Sequence, residues 1–480
     1  MRAPIFLLAG IAAAVSFAGG ADSPTNGVVA VGGPAGIAVD AGAKLAVREE
    51  VSHDVPCNPG GGQRVNKSVS RTRGTHLMRF DSHVWMRADT ERFTLFADIA
   101  NRSMAHFRTN GQRKDDRTWQ FPDELSLDDL YLEGRGLFDD LIDFRLGRQD
   151  LSDGVKSYFG LERLLMDGTP SDYSRSYYSD MARFTLHPMP EDDFDFFALY
   201  DTDDNPLSWG RQRVHGRSQN YLTGNDLYGP DQWGGGAIWS SRRLGKGMPF
   251  KAYALFKRDS AYRRGDVHVP TKDVATGGVL FTPAITDELA LELEGAGQTG
   301  SRHGWGSAGG WMGVAGFDWH PRTVDFADTY LKLTQICFSG DKDNGDGHGD
   351  NAWDPMWARY TWFSEVFARG THPQVVYWSN MLFTKVTAGM KFGPKHSLEV
   401  FSGPIWAAAD DELGGGSGTF KGVLSKVRYN FPLLLRPKNA RGMKRFEVFG
   451  HFMLEAFNPG EYYESSKPAI YARWQLNFVF

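Results

Sequence analysis

From about Thr75 to the last residue, apolar and polar side chains alternate in short runs separated by clusters of Gly, Pro, Asp and Asn. Successive strand residues point to opposite faces, so this alternation predicts strands with one apolar and one polar face. Between Met78 and Ala88, one face carries Met78, Phe80, Val84 and Met86, and the other carries Arg79, Asp81, His83 and Arg87. Phe93, Leu95, Ala97 and Ile99 oppose Thr94, Phe96 and Asp98 in the same way. Ile142, Phe144 and Leu146 oppose Asp143, Arg145 and Gly147, and Ala182, Phe184 and Leu186 oppose Arg183, Thr185 and His187. Leu289, Leu291 and Leu293 oppose Glu288, Glu292 and Glu294.

A water-soluble sandwich alternates too, so the medium has to be read elsewhere. In the closing segment the outward set is Ala472, Trp474, Leu476, Phe478 and Phe480, and the inward set is Arg473, Gln475, Asn477 and Val479. An exposed aromatic run of this kind suits a strand facing lipid, and a terminal Phe resembles the signal by which assembly machinery recognises barrel substrates. Charged or polar residues interrupt every apolar stretch in the body of the chain, whereas a spanning helix needs about 20 apolar residues. Crossing a bilayer therefore requires a closed barrel, which pairs every backbone group. At the start, Met1 and Arg2 precede an apolar run from Ile5 to Phe17 and small residues from Ala18 to Ala21. That pattern predicts a secretory signal peptide over residues 1–18, cleaved after Ala18.

The expected organisation is then a Gly-, Ala- and Pro-rich tail or linker over 19–70, with one strand near Ala43 to Val51, and a single all-β, antiparallel transmembrane barrel over 71–480. At roughly 20 to 25 residues per crossing, 18 strands fit, and 16 are also allowed. Barrels of that size leave an aqueous lumen, which is an architecture for transport. Composition adds exclusions: 2 Cys cannot staple a disulfide-rich module. A formal charge of -5 over 480 residues gives no case for nucleic acid or any other bulk electrostatic partner.

The most specific pattern lies between Leu127 and His187. A strand through Asp129, Leu130, Tyr131, Leu132 and Glu133 is followed by a Gly-rich turn and by Ile142-Asp143-Phe144-Arg145-Leu146-Gly147-Arg148-Gln149, then by Tyr178-Ser179-Asp180-Met181-Ala182-Arg183-Phe184-Thr185-Leu186. Further on come Ser339-Gly340-Asp341, Asp354-Pro355 and Trp378-Ser379-Asn380. This order resembles the alginate-export family of outer-membrane barrels over roughly Leu125 to Phe480. The resemblance implies an 18-stranded channel with an Arg- and Lys-rich constriction that attracts a uronic-acid polymer, and it carries site roles onto Arg145, Arg148, Gln149 and Arg183. The implied partners are an anionic polysaccharide or oligosaccharide, outer-membrane lipid, the barrel-assembly machinery and, for an exporter, periplasmic secretion factors.

A guanidinium pairs with a carboxylate through two parallel hydrogen bonds and stays charged, so arginines in a narrow pore lower the barrier for an anion. Arg145 and Arg183 take the inward parity. Arg148 shares the parity of Phe144 and Leu146 and needs a bulge or a place beyond the membrane core to reach the lumen. The competing reading pairs these arginines with Glu133, Asp143 or Asp180. Lys385, Lys391, Lys426, Arg428 and Arg473 also lie on polar faces, as do Asp81, Asp98, Asp143, Glu288, Glu292, Glu294 and Glu399. No carboxylate pair stands out for glycoside hydrolysis, and no Gly-x-Ser-x-Gly element marks an esterase. The stretch from Asp341 to Asp350 misses EF-hand spacing and reads as a solvated loop. No catalytic residue, metal or cofactor is expected. The function expected is passive passage of an anionic or polar saccharide, by alginate-like export or through a substrate-selective porin for uptake of charged oligosaccharides. A soluble secreted carbohydrate-binding β-protein is the reading outside the membrane.

Overall fold

The computed structural model describes residues 31–32, 36–55, 73–107, 119–151, 161–165, 179–201, 208–209, 212–214, 217–219, 230–243, 250–264, 267–321, 327–342, 350–358, 363–367, 379–393, 395–411, 413–435 and 446–480. The expected signal peptide, Cys57 and most of the acidic loop after Lys342 lie outside them.

The first strands are β1 (Ala38–Val55), β2 (Arg73–Asp89), β3 (Phe93–Phe107), β4 (Trp119–Gly136), β5 (Ile142–Gln149) and β6 (Ser179–Met189). Next come β7 (Asp192–Asp201), β8 (Gln232–Ser241), β9 (Phe250–Asp259), β10 (Lys272–Phe281), β11 (Leu289–Arg302) and β12 (Gly306–Trp319). The last are β13 (Asp328–Phe338), β14 (Met381–Lys391), β15 (Ser397–Trp406), β16 (Phe420–Leu434), β17 (Glu447–Pro459) and β18 (Ala469–Val479). Each pairs antiparallel with its neighbours in chain order, and β1 closes on β18 from Lys44 opposite Val479 to His53 opposite Ile470. The result is a closed 18-strand antiparallel barrel. No described helix is long and apolar enough to cross a membrane.

The wall follows the alternation read from the sequence. Val84 and Met86 on β2, Leu95 and Ile99 on β3 and Phe184 on β6 are exposed on the outside, while Asp81 and His83 line the lumen. On β12 the exposed Trp311 and Trp319 are separated by about 26 Å of extended chain. That spacing brackets an apolar band of the height a barrel shows to lipid. The wall also takes in Ala38–Val55, so the barrel begins well before residue 71. This strand is hard to read because Ala41, Gly42, Ala43 and Ala46 give it little hydrophobic contrast.

Two connections at the long-loop rim fold into the lumen. Residues 350–358 and 363–367 both belong to the β13–β14 connection, and their Trp353, Trp357, Phe363 and Phe367 are buried. Trp357 packs edge-on against Phe197 of β7, and its backbone N–H donates to the Leu164 carbonyl in the β5–β6 connection. Phe363 and Phe367 meet Phe383 of β14 and Phe457 of β17. Part of the lumen is therefore packed with side chains and is not a plain water-filled tube.

Candidate functional site

Polar side chains pin the inward connection to two stretches of wall. On one, Lys257 of β9 reaches Asp354 at 2.8 Å and the Met356 carbonyl at 2.9 Å, and Lys272 of β10 reaches Asp354 at 2.9 Å. Gln298 of β11 exchanges two hydrogen bonds with the Asp354 backbone, both 2.8 Å. Burial acts to raise the Asp354 carboxyl, but the two lysines outweigh it and hold it below the usual carboxylate range. On the other stretch, Glu455 of β17 accepts from the Ser364 hydroxyl and from the backbone N–H groups of Glu365 and Val366. Lys426 of β16 donates to the Phe363 carbonyl, and Arg473 of β18 holds Glu365 at 2.5 Å.

Beside this bar the lumen opens into a cavity of about 680 Å³, walled by β1–β3 and β16–β18. Its walls carry Lys44, Arg48, Arg428 and Arg473 against Asp81 and Asp98. The two carboxylates flank His83, whose ring nitrogens lie 3.2 Å from Asp81 and 2.9 Å from Asp98. Arg48 grips the Gln475 side-chain oxygen with Nε and Nη2, and Arg428 Nε donates to Asn430. Trp85 and Phe449 supply apolar wall. Among the described residues Lys44 makes no ion pair. Arg48 also pairs with Glu50 at 3.4 Å behind the wall, and among the residues that line the cavity four cations face two carboxylates, a balance that suits an anion with polar substituents.

The residues expected from sequence divide between this cavity and the structural framework. Arg428 and Arg473 line the cavity. Arg145 and Arg183 keep their inward parity, but each is held by a carboxylate on the next strand, Glu133 and Asp195, both at 2.9 Å. Arg145 also lies over the Tyr131 ring. Arg148 is a correction: no bulge turns it inward, and on the outward parity it grips Asp180 at 3.1 Å. Gln149 is a second correction, because its amide nitrogen is taken by the carbonyls of Arg145, Gly147 and Met181, which makes it a brace for the strand end. Lys385 is buried over the Phe401 ring, and Lys391 is exposed at the strand end, 3.8 Å from Asp328; neither lines the cavity.

Of the acidic residues expected inside, Glu294 accepts from Tyr253 and the Leu161 N–H, and Glu399 accepts from Tyr330. Lys44, Arg48 and His451 were missed as cavity residues. The first two sit on the weakly patterned β1, and His451 shares its face with Phe449 and lies next to Phe452 in a strand whose signal is apolar.

No protein-family model and no curated protein matches the chain. Among solved structures, OpdK of Pseudomonas aeruginosa, determined with vanillate, is similar at a TM-score of 0.50 and 10% identity over 92% of this chain and 98% of that one. The chain has the fold of an outer-membrane porin barrel. OccK11 (OpdR) and OccK5 (OpdH) of the same organism are similar at a TM-score of 0.49, with 12% and 11% identity, over 92% of this chain and 96% and 98% of theirs. At such identity the likeness is one of fold, and it gives the alginate-export resemblance no support. The barrel's cavity has to be read from its own residues.

Proposed function

We propose that the barrel is a passive, substrate-selective channel through which small anionic molecules cross the outer membrane inward. The observation that carries this reading is the lumenal cavity of about 680 Å³ with Lys44, Arg48, Arg428 and Arg473 on its walls. Such a volume suits a single small molecule. A lumen with low-dielectric walls focuses the field of these cations, and weak, multiple contacts let an anion bind and leave. Export of a uronic-acid polymer is less well supported, since the bar of Trp353, Trp357, Phe363 and Phe367 occupies the lumen beside the cavity.

Purified barrel in planar bilayers under a potassium chloride gradient tests the proposal. The expected result is an anion-selective reversal potential, with chloride current blocked by small carboxylates and the selectivity fading as the Debye length shrinks from about 10 Å at 0.1 M to about 3 Å at 1 M. A cation-selective reversal potential overturns it.

A further inference from the structure

Arg473 Nε donates to His451 Nε2 at 2.9 Å. A guanidinium is protonated at every relevant pH, so the ring nitrogen that receives this bond must offer a lone pair. The imidazole is therefore neutral and carries its proton on Nδ1. His451 lines the cavity, and among the described residues Nδ1 has no partner. The orientation of Arg473 is set in turn by Glu365 of the inward connection, 2.5 Å from Nη1. A chain from the loop through a guanidinium to the ring thus fixes an uncharged N–H donor in the cavity wall.

The neighbouring amides are ordered by the same logic. Arg48 takes the Gln475 oxygen, so the Gln475 nitrogen donates onward to the Asn477 oxygen at 2.7 Å. Asn477 then directs one hydrogen of its own nitrogen to the Phe449 carbonyl at 3.4 Å and keeps the other as a donor. The cavity therefore combines cations, which act on any anion, with fixed neutral donors, and it faces them with the acceptors Asp81 and Asp98. A plain alkyl carboxylate satisfies only the cations and leaves buried donors and acceptors without partners when it displaces water. A carboxylate carrying hydroxyls satisfies all three, accepting from the neutral donors and donating to the carboxylates.

Resting on the anion-channel reading, we propose that His451 is a specificity-determining residue that selects polyhydroxylated carboxylates over unsubstituted carboxylates of the same charge. The test compares block of chloride current by gluconate and by hexanoate, two six-carbon monocarboxylates of which only the first bears hydroxyls. In the unmodified barrel gluconate blocks at a concentration about tenfold lower. His451→Phe brings the two blocking concentrations together through a threefold to tenfold loss for gluconate, about the size of one neutral hydrogen bond, and His451→Gln, which keeps an N–H donor, recovers part of the difference.

Equal block in the unmodified barrel overturns the inference and needs no variant. A gluconate preference that persists in His451→Phe overturns the role of His451. Loss of the preference together with a reversed ion selectivity assigns the effect to Arg473 and also counts against it. Failure of the anion-channel reading is separate, since it appears as a cation-selective reversal potential before either carboxylate is added.

Discussion

Glu49 of β1 accepts a hydrogen bond from the Trp474 indole of β18 at 2.5 Å, across the seam where the first and last strands close the barrel. His76 of β2 holds the other carboxylate oxygen at 2.7 Å. All three lie on the lipid-facing parity, with the exposed Val51 and Ile470 on the same face. A carboxylate is tolerated there because both oxygens have donors. The contact also marks the register of closure, since a slip by one residue would turn the Trp474 side chain to the lumen.

Trp474→Phe keeps the ring and removes the donor. It is expected to lower the stability of the inserted barrel by about 1–2 kcal/mol, read as a lower urea midpoint in liposomes. Replacing Glu49 and His76 by Leu in the Trp474→Phe background is expected to recover the midpoint, because it removes the whole polar cluster from the lipid face without leaving a partner behind. An unchanged midpoint in Trp474→Phe would mean that the seam contact contributes nothing.

Asp354→Asn removes the carboxylate that two lysines share and weakens the hold on the inward connection. Breaking a buried pair costs about 3 kcal/mol, so the connection should loosen: limited proteolysis of the inserted barrel should cut the β13–β14 connection faster, and single-channel current should become noisier or larger. Unaltered current and protease resistance would show that Gln298 and the packing of Trp353 and Trp357 suffice.

The same carboxyl predicts a pH response by its sign. Its value is held below that of an unfolded Asp, about 3.9. The stabilisation is therefore fully present above that pH and is lost only as the pH falls through the lower folded value. Protease resistance of the connection should accordingly be the same at pH 7 and pH 5. Increased cleavage already at pH 5 would contradict the pairing with Lys257 and Lys272.

Charge placement separates the cavity from the framework. Replacing Lys44 and Arg428 together by Gln should move the reversal potential toward cation preference at 0.1 M salt. Replacing Arg145 and Arg183 together by Gln should move it much less and should lower stability instead, since Glu133 keeps only Arg135 and Asp195 only the Thr185 hydroxyl among the partners named for them. A larger potential shift in the Arg145 and Arg183 pair would place the selective region on β5 and β6.

The amino-acid sequence by itself determined the wall. Strand geometry turns alternate side chains to opposite faces, so Val84 and Met86, or Trp474 and Phe478, declare a lipid face without knowledge of any neighbour, and their number sets the approximate size of the barrel. Parity also gave the inward direction of Arg145, Arg183, Arg428 and Arg473. Only the tertiary structure decided which of these charges remain available to the lumen, because pairing depends on residues far away in the chain. Arg145 meets Glu133 and Arg183 meets Asp195 on adjacent strands, whereas Arg473 is positioned by Glu365 from a connection that folds back inside. The cavity itself joins β1 to β18, the two ends of the barrel. Closure of the sheet brings Lys44 and Arg48 beside Arg473 and His451, a proximity that no local period encodes.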